Sequence, residues 1–268
     1  MLVDQAHGGG EALASGADLV VLSPQKAAGG LAQSALLLAQ GPRCDPEAIG
    51  RALLWLQTSS PSALLLASTA AALDHQHSPA GRRQRQRAEA RAAVLRQRLA
   101  RLGMPALPGT DPLRLVLPMA PLGLGGPAAD DWLLRRGVVA ELAEPGALTF
   151  CLGLEPPPGL ERRLPRLLEQ LRRDQGGAPL AAFSPPPLPP LAALERPLGQ
   201  AWRAAARSVP LSRAEGLLTA RPICPYPPGI PLLIPGERID AARLAWLVEQ
   251  RRLWPDGIPE AVDVVAQP

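Results

Sequence analysis

The chain holds a single lysine. Of its 28 basic residues, 27 are arginine and the remaining one is Lys26. Arginine serves wherever only a solvated positive charge is wanted, but guanidinium never gives up its proton, whereas a buried ammonium does. A lone lysine in an arginine-biased chain is therefore a candidate for chemistry that arginine cannot perform. Compositional drift that leaves one lysine by chance is the bland alternative.

Cysteine is scarce as well. Cys44, Cys151 and Cys224 are odd in number, far apart and without C-x-x-C spacing, which argues against a disulfide framework or a zinc site and fits a reducing cytoplasm. Aromatic residues make up 3% of the chain, with five Trp, one Tyr and two Phe, too few for a surface that stacks single-stranded bases. The longest apolar runs, Leu31–Ala39 and Ala63–Leu73, are broken by Gln33 and Ser34 or by Ser68 and Thr69. Both fall short of the ~20 residues that span a bilayer. No basic stretch leads into an apolar one at the start, so no signal peptide is expected. What is present is ample for a packed core: 47% of the 268 residues are hydrophobic and 19% charged, in a length for one large domain or two modest ones.

The opening reads as α/β. Met1-Leu2-Val3 ends a buried strand that runs into Asp4, and Ala17–Ser23 is a second, bounded by Gly16 and Pro24. Glu11–Ser15 between them fits a short helical turn. Pro46–Gln57 and Ser62–Ala72 read as helices with start signals at Asp45-Pro46 and Ser60-Pro61. Gly81–Leu102 carries eight arginines around a stripe of Ala88, Ala92, Leu95, Leu99 and Leu102, the pattern of an amphipathic helix. Its positive face reads as solvated surface, in preference to a nucleic-acid patch.

Further along, Leu113–Leu117, Val138–Leu142 and Leu148–Leu152 read as strands, and Asp130–Arg136 and Leu160–Arg173 as helices. Asp130 and Asp131 would sit in a first turn, where negative charge is favoured, and Pro165 would have to lie early in its helix. Residues 176–197 are proline-rich and read as a semi-rigid linker. Helices are expected near Leu198–Arg207 and Ala241–Arg252, with a rigid Cys224–Pro231 loop between them.

Asp4 and Lys26 end successive strands, so in a parallel sheet both would reach the carboxyl edge where open α/β folds bind ligands. A pyridoxal phosphate enzyme needs such a pair: a lysine for the cofactor aldehyde, and a carboxylate that keeps the pyridine nitrogen protonated. Ser23 lies three residues before the lysine and could donate to the phosphate.

These residues resemble a known family. Asp4-Gln5-Ala6-His7-Gly8, Gly16-Ala17-Asp18, Ser23-Pro24-Gln25-Lys26 and Leu31-Ala32-Gln33-Ser34-Ala35 are similar to D-E-A-H-G, G-A-D, S-T-H-K and L-T-Q-S-A of the Orn/Lys/Arg decarboxylases. Thr58-Ser59-Ser60-Pro61-Ser62 with Leu64–Ser68 resembles their T-S-P-S-Y-L-L-L-A-S. The Cys224–Pro231 loop with Pro235-Gly236-Glu237 resembles their C-terminal Y-P-P-G-I-P…P-G-E. The motifs occur in family order over nearly the whole chain.

The resemblance implies an α/β fold: the C-terminal portion of a fold-type-I large domain (1–103), a small α/β domain (104–175), the linker (176–197) and a C-terminal decarboxylase-type domain (198–268). It implies pyridoxal 5'-phosphate as cofactor, a basic amino acid as substrate, and a homodimer or higher oligomer with shared active sites. It makes Lys26 the Schiff-base lysine and Asp4 the pyridinium partner, sets Ala6 and His7 against the ring, and puts Ser23 and Gln25 at the phosphate. Thr58 would reach the phosphate of the neighbouring subunit, and Tyr226 and Glu237 would approach the substrate. Neither metal, nucleic acid nor membrane is implied.

Three departures stand out. Gln25 replaces the family histidine and has no acid proton near neutral pH. Gln5 replaces a glutamate, and the Gly8–Gly16 stretch is short. Family members also extend well upstream of the Asp4 motif, so a large domain without its first strands is expected, with open sheet edges. The competing reading is a non-catalytic relative that keeps the fold for packing or partner binding.

Overall fold

A computed structural model of the chain describes residues 10–181, 184–189, 193–225, 229–253 and 255–266. These fall into two compact units: one runs to Leu117 and takes in Phe150–Gln170, the other holds Pro118–Thr149 and the chain from Leu171 onward. The expected first strand, Met1-Leu2-Val3, lies outside the described residues.

In the first unit, helix α1 (Gly10–Ala14) leads to strand β1 (Leu19–Leu22), the one-turn helix α2 (Pro24–Ala27) and strand β2 (Leu36–Ala39). β1 pairs antiparallel with β2, from Leu19 opposite Ala39 to Leu22 opposite Leu36. The parallel pairing expected between Met1-Leu2-Val3 and the Ala17–Ser23 strand falls on residues outside those described, and β2 had no sequence expectation. The link between β1 and β2 holds only one helical turn, too little for the crossover a parallel pair requires. β1 is less buried than expected, with Leu22 enclosed and Leu19 and Val21 exposed. The β1–β2 sheet has two strands among the described residues.

Helix α3 (Pro46–Leu56) begins as expected, with the Asp45 carboxylate accepting the Glu47 amide at 2.9 Å and Pro46 in the first turn. None of its residues is buried, and Leu54, Trp55 and Leu56 are among the most exposed apolar groups of the chain. Helix α4 runs over Ala63–His77, with Ser62 as its cap rather than Ser60, and continues five residues past the expected Ala72. The start agrees with the expected Ser62 to within one residue, and ahead of it the Thr58 hydroxyl accepts the Ser60 amide at 3.2 Å in a local turn.

Ser78 ends α4 and begins α5 (Pro79–Arg101). Its hydroxyl donates to the His75 carbonyl at 2.7 Å and accepts the Gly81 amide at 3.0 Å. A Cβ at Gly81 would collide with that carbonyl, so the elbow needs glycine. The expected stripe is buried at Ala88, Ala92, Leu95 and Leu99, while Leu102 is only half-covered. The arginine face is not simply solvated. Arg91 grips the Glu161 carboxylate and the carbonyls of Pro156 and Pro157, and Arg96 takes those of Leu107 and Arg114. Arg82, Arg83, Arg87 and Arg101 are the exposed ones.

Strand β3 (Arg114–Pro118), strands β4 (Leu142–Glu144) and β5 (Ala147–Cys151) form a sheet in the order β3-β5-β4. The strand expected at Val138–Leu142 begins only at Leu142. The amides before it are already taken: Val138 by the Leu133 carbonyl and Ala140 by the Asp130 carboxylate. Helix α6 (Gly126–Leu134) starts four residues earlier than expected, so Asp130 and Asp131 fall outside its first turn. Gly126 lies so close to the carbonyls of Glu144 and Ala147 that a Cβ would collide with both. Helix α7 (Leu160–Gln175) contains Pro165, as anticipated.

In the second unit, helix α8 (Leu198–Arg203) ends four residues before the expected Arg207. Beyond it, strand β6 (Ala206–Pro210), whose first two residues were expected to be helical, pairs antiparallel with β7 (Ala261–Val265), which had no sequence expectation. Helix α9 (Ala241–Leu253) packs Leu244 and Leu247 into a core with Val209, Leu233, Ile239, Ile258 and Val264. Fully burying such side chains contributes about 1.5–3 kcal/mol each.

Candidate active site

Lys26 sits on α2, a single turn with Pro24 in its first position. The Lys26 amide donates to the Ser23 carbonyl at 3.0 Å, and the Ala28 amide closes the turn on Pro24 at 2.9 Å. The Lys26 side chain is exposed and Ser23 half-buried. Next to them, the Gln25 carbonyl oxygen is buried without a hydrogen-bond partner among the described residues. A buried acceptor with no donor costs free energy unless something supplies one. The atom concerned is the side-chain Oε1, one residue before Lys26. The donor set therefore fits a carbonyl cofactor: an accessible ε-amine, a hydroxyl residue and an amide acceptor within four consecutive residues.

Helix α4 fixes the turn. The Ser68 hydroxyl accepts the Leu31 amide at 2.9 Å, and Gln76 Nε2 donates to the Ala28 carbonyl at 3.4 Å. Neither residue was singled out by the sequence reading. Ser68 closes the segment that resembles the family motif, which was a signal of sorts, while Gln76 offered none.

The other expected residues are placed as follows. Asp4, Ala6, His7 and Tyr226 lie outside the described residues. Thr58 is exposed beyond the end of α3, with its hydroxyl on the Ser60 amide, and no hydrogen bond joins it to the Lys26 turn among the described residues. Glu237 belongs to the second unit and is buried there. Its carboxylate accepts the Ile234 amide at 2.8 Å and pairs with Arg243 at 3.3 Å. Arg243 also binds Asp240 at 2.5 Å and the carbonyls of Leu232 and Arg238. Burial opposes ionisation of Asp240, but the Arg243 amide and guanidinium together outweigh it and hold the carboxyl below its ordinary value.

Among the described residues, no group of His, Cys, Asp and Glu is arranged to hold a metal. No helix among them is long and apolar enough to cross a membrane.

Residues 188–252 match the family model of the Orn/Lys/Arg decarboxylase C-terminal domain. The chain is 28% identical to the arginine decarboxylase of Bacillus subtilis, covering 92% of this chain and 55% of that protein. It is 30% identical to the arginine decarboxylase of Halalkalibacterium halodurans, covering 94% of this chain and 56% of the relative. It thus spans about half the length of the curated relatives it matches. Among solved structures, the lysine decarboxylase LdcF of Francisella novicida is similar with a TM-score of 0.75 at 14% identity, over 92% of this chain and 49% of that one. The structure of SPT with a PLP internal aldimine is similar with a TM-score of 0.50 at 17% identity, over 59% of this chain and 40% of the other. At these identities the structural likeness is one of fold. Residues 188–252 thus match the Orn/Lys/Arg decarboxylase C-terminal domain, and most of the chain is similar to curated arginine decarboxylases.

Proposed function

We propose that this chain is part of a pyridoxal phosphate-dependent decarboxylase that converts a basic amino acid (arginine, lysine or ornithine) to the corresponding amine and carbon dioxide. The observation that carries the reading is the Lys26 turn, where the chain's only ε-amine is exposed beside a buried acceptor that has no donor among the described residues. The curated arginine decarboxylases it matches supply the class of substrate.

When bound, pyridoxal phosphate supplies an aldehyde for an amine and a ring that takes up the electron pair left as carbon dioxide departs. Lys26 is the amine that holds it, since no other side chain of this sequence carries one. Asp4 would keep the ring nitrogen protonated, Ala6 and His7 would lie against the ring, and Ser23 would bind the phosphate. Thr58 would serve the neighbouring subunit of a homodimer. Gln25 can give and accept hydrogen bonds but cannot deliver a proton near neutral pH. The proton that replaces the carboxylate then comes from Nζ of Lys26 or the His7 ring.

The test uses the full chain. It is mixed with pyridoxal 5'-phosphate, reduced with borohydride and mapped by peptide mass. A label on Lys26, absent from Lys26→Ala, is the expected result. Carbon dioxide release from arginine, lysine and ornithine, measured in parallel, then names the substrate. A reduced sample with no label on Lys26 overturns the reading and leaves a relative that keeps the fold alone.

A further inference from the structure

A single helical turn cannot hold a side chain in one direction by itself. Nucleation of a turn is unfavourable, and short helices take their stability from what they pack on. α2 is four residues long, so the bearing of Lys26 is set by the surface beneath it. That surface is one stripe of α4. Ser68, Ala72 and Gln76 follow one another at spacings of four and so lie on one helical face.

All three meet the segment that carries the lysine. Ser68 Oγ accepts the Leu31 amide at 2.9 Å, and Gln76 Nε2 donates to the Ala28 carbonyl at 3.4 Å. Between them the chain runs close, since a Cβ at Gly30 would stand 3.1 Å from Pro24 Cβ and 3.7 Å from Ala72 Cβ. Gln76 is only 3% exposed, and its other end accepts from Arg85 Nη1 of α5 at 3.5 Å. A buried amide costs desolvation that an apolar side chain of similar size would not. What the amide gives in return is direction: its donor and acceptor fix where the Ala28 carbonyl sits, and so how the turn before it faces.

We infer that Ser68 and Gln76 are positioning residues for Lys26: they hold the lysine turn against α4 so that the ε-amine meets the cofactor aldehyde in one orientation. The inference rests on the proposed role of Lys26. Ser68 acts after the lysine, through Leu31, and Gln76 acts through Ala28, so the turn is held from its C-terminal side by two independent contacts.

The experiment compares the full-length wild type with Ser68→Ala, Ser68→Thr and Gln76→Met. Three readouts are taken: hydrogen exchange of the Leu31 amide, yield and pH midpoint of the borohydride-trapped Lys26 label, and thermal midpoint. Ser68→Ala is expected to speed exchange at Leu31 and to lower the label yield at limiting pyridoxal phosphate by about fivefold, the effect of one lost hydrogen bond. Ser68→Thr, which keeps the hydroxyl, restores both. Gln76→Met is expected to shift the pH midpoint of labelling, which a purely structural loss would leave in place while lowering the thermal midpoint. Variants that label like the wild type, in yield and in pH midpoint, overturn the inference and leave the role of Lys26 standing. A wild type with no label on Lys26 overturns that role, and the positioning role with it.

Discussion

Arg98 Nη1 donates at 3.1 Å to the carbonyl oxygen of Glu161, the acceptor that Pro165 cannot serve from within α7. In an α-helix the amide of residue 165 would bond the carbonyl of residue 161, and proline has no amide hydrogen. A guanidinium from α5 takes the vacant place. The proline is thus tolerated because a side chain elsewhere replaces the missing donor.

Arg98→Leu is accordingly expected to destabilise the chain by about 1.5–3 kcal/mol, the cost of a hydrogen bond from a charged donor. In a Pro165→Ala background the loss should shrink, because the new amide bonds Glu161 itself. Urea unfolding of the four proteins in a double-mutant cycle measures the coupling. Equal losses in both backgrounds would refute the substitution of one donor for the other.

Glu161 offers a second measurement. The hydrogen bond from Arg91 holds its carboxyl below the ordinary range, against the opposing effect of burial. A carboxyl whose folded value is depressed adds stability that is present above its unfolded value, about 4.3, and lost as pH falls through the lower folded value. The wild type should therefore lose stability faster than Glu161→Gln as pH drops from 6 toward 3. The urea midpoints of the two proteins should converge at the acid end. A gap that stays constant over that range would show that the Arg91 pair adds nothing through ionisation.

Arg243 and Glu237 form an ion pair at 3.3 Å with 7% and 5% of their side chains exposed. Removing one member leaves the other charged and buried, so Arg243→Leu is expected to cost about 3–5 kcal/mol. Replacing both with leucine should recover part of the loss, since no lone buried charge is left, while the Asp240 carboxylate and the Ile234 amide lose their partners. Thermal and urea unfolding decide between this and a simple packing defect, in which the double variant would be worse than either single one.

On α3, Leu54 is 77%, Trp55 88% and Leu56 85% exposed, an apolar run of the kind that marks contact surfaces. Trp55→Glu should leave the unfolding free energy within about 0.5 kcal/mol of wild type while lowering the sedimentation-derived mass at high protein concentration. An unchanged mass distribution would show that α3 takes no part in self-association.

Elements governed by local chemistry were legible in the sequence. Asp45-Pro46 starts α3 because a carboxylate and a fixed φ act within one turn, and the Ala88–Leu99 stripe follows from helical period alone. What escaped depends on distance along the chain. The Ser68 and Gln76 contacts join residues 37 and 48 positions apart, and β6 finds β7 across the whole of the C-terminal core. The arginines of α5 escaped for another reason: their partners are mainly backbone carbonyls, which every residue possesses and no pattern marks. Lys26 was legible because composition isolated it, whereas the stripe that supports its turn looked like ordinary helix.

The elbow at Ser78 links these observations mechanically. One residue serves as the end of α4 and the start of α5, and the glycine three positions on leaves no room for the joint to fold differently. The two helices therefore meet at one fixed joint. α5 bears the arginines that grip Pro156, Pro157 and Glu161, and α4 carries the seat of the only lysine, so both sets of contacts hang on the same short elbow.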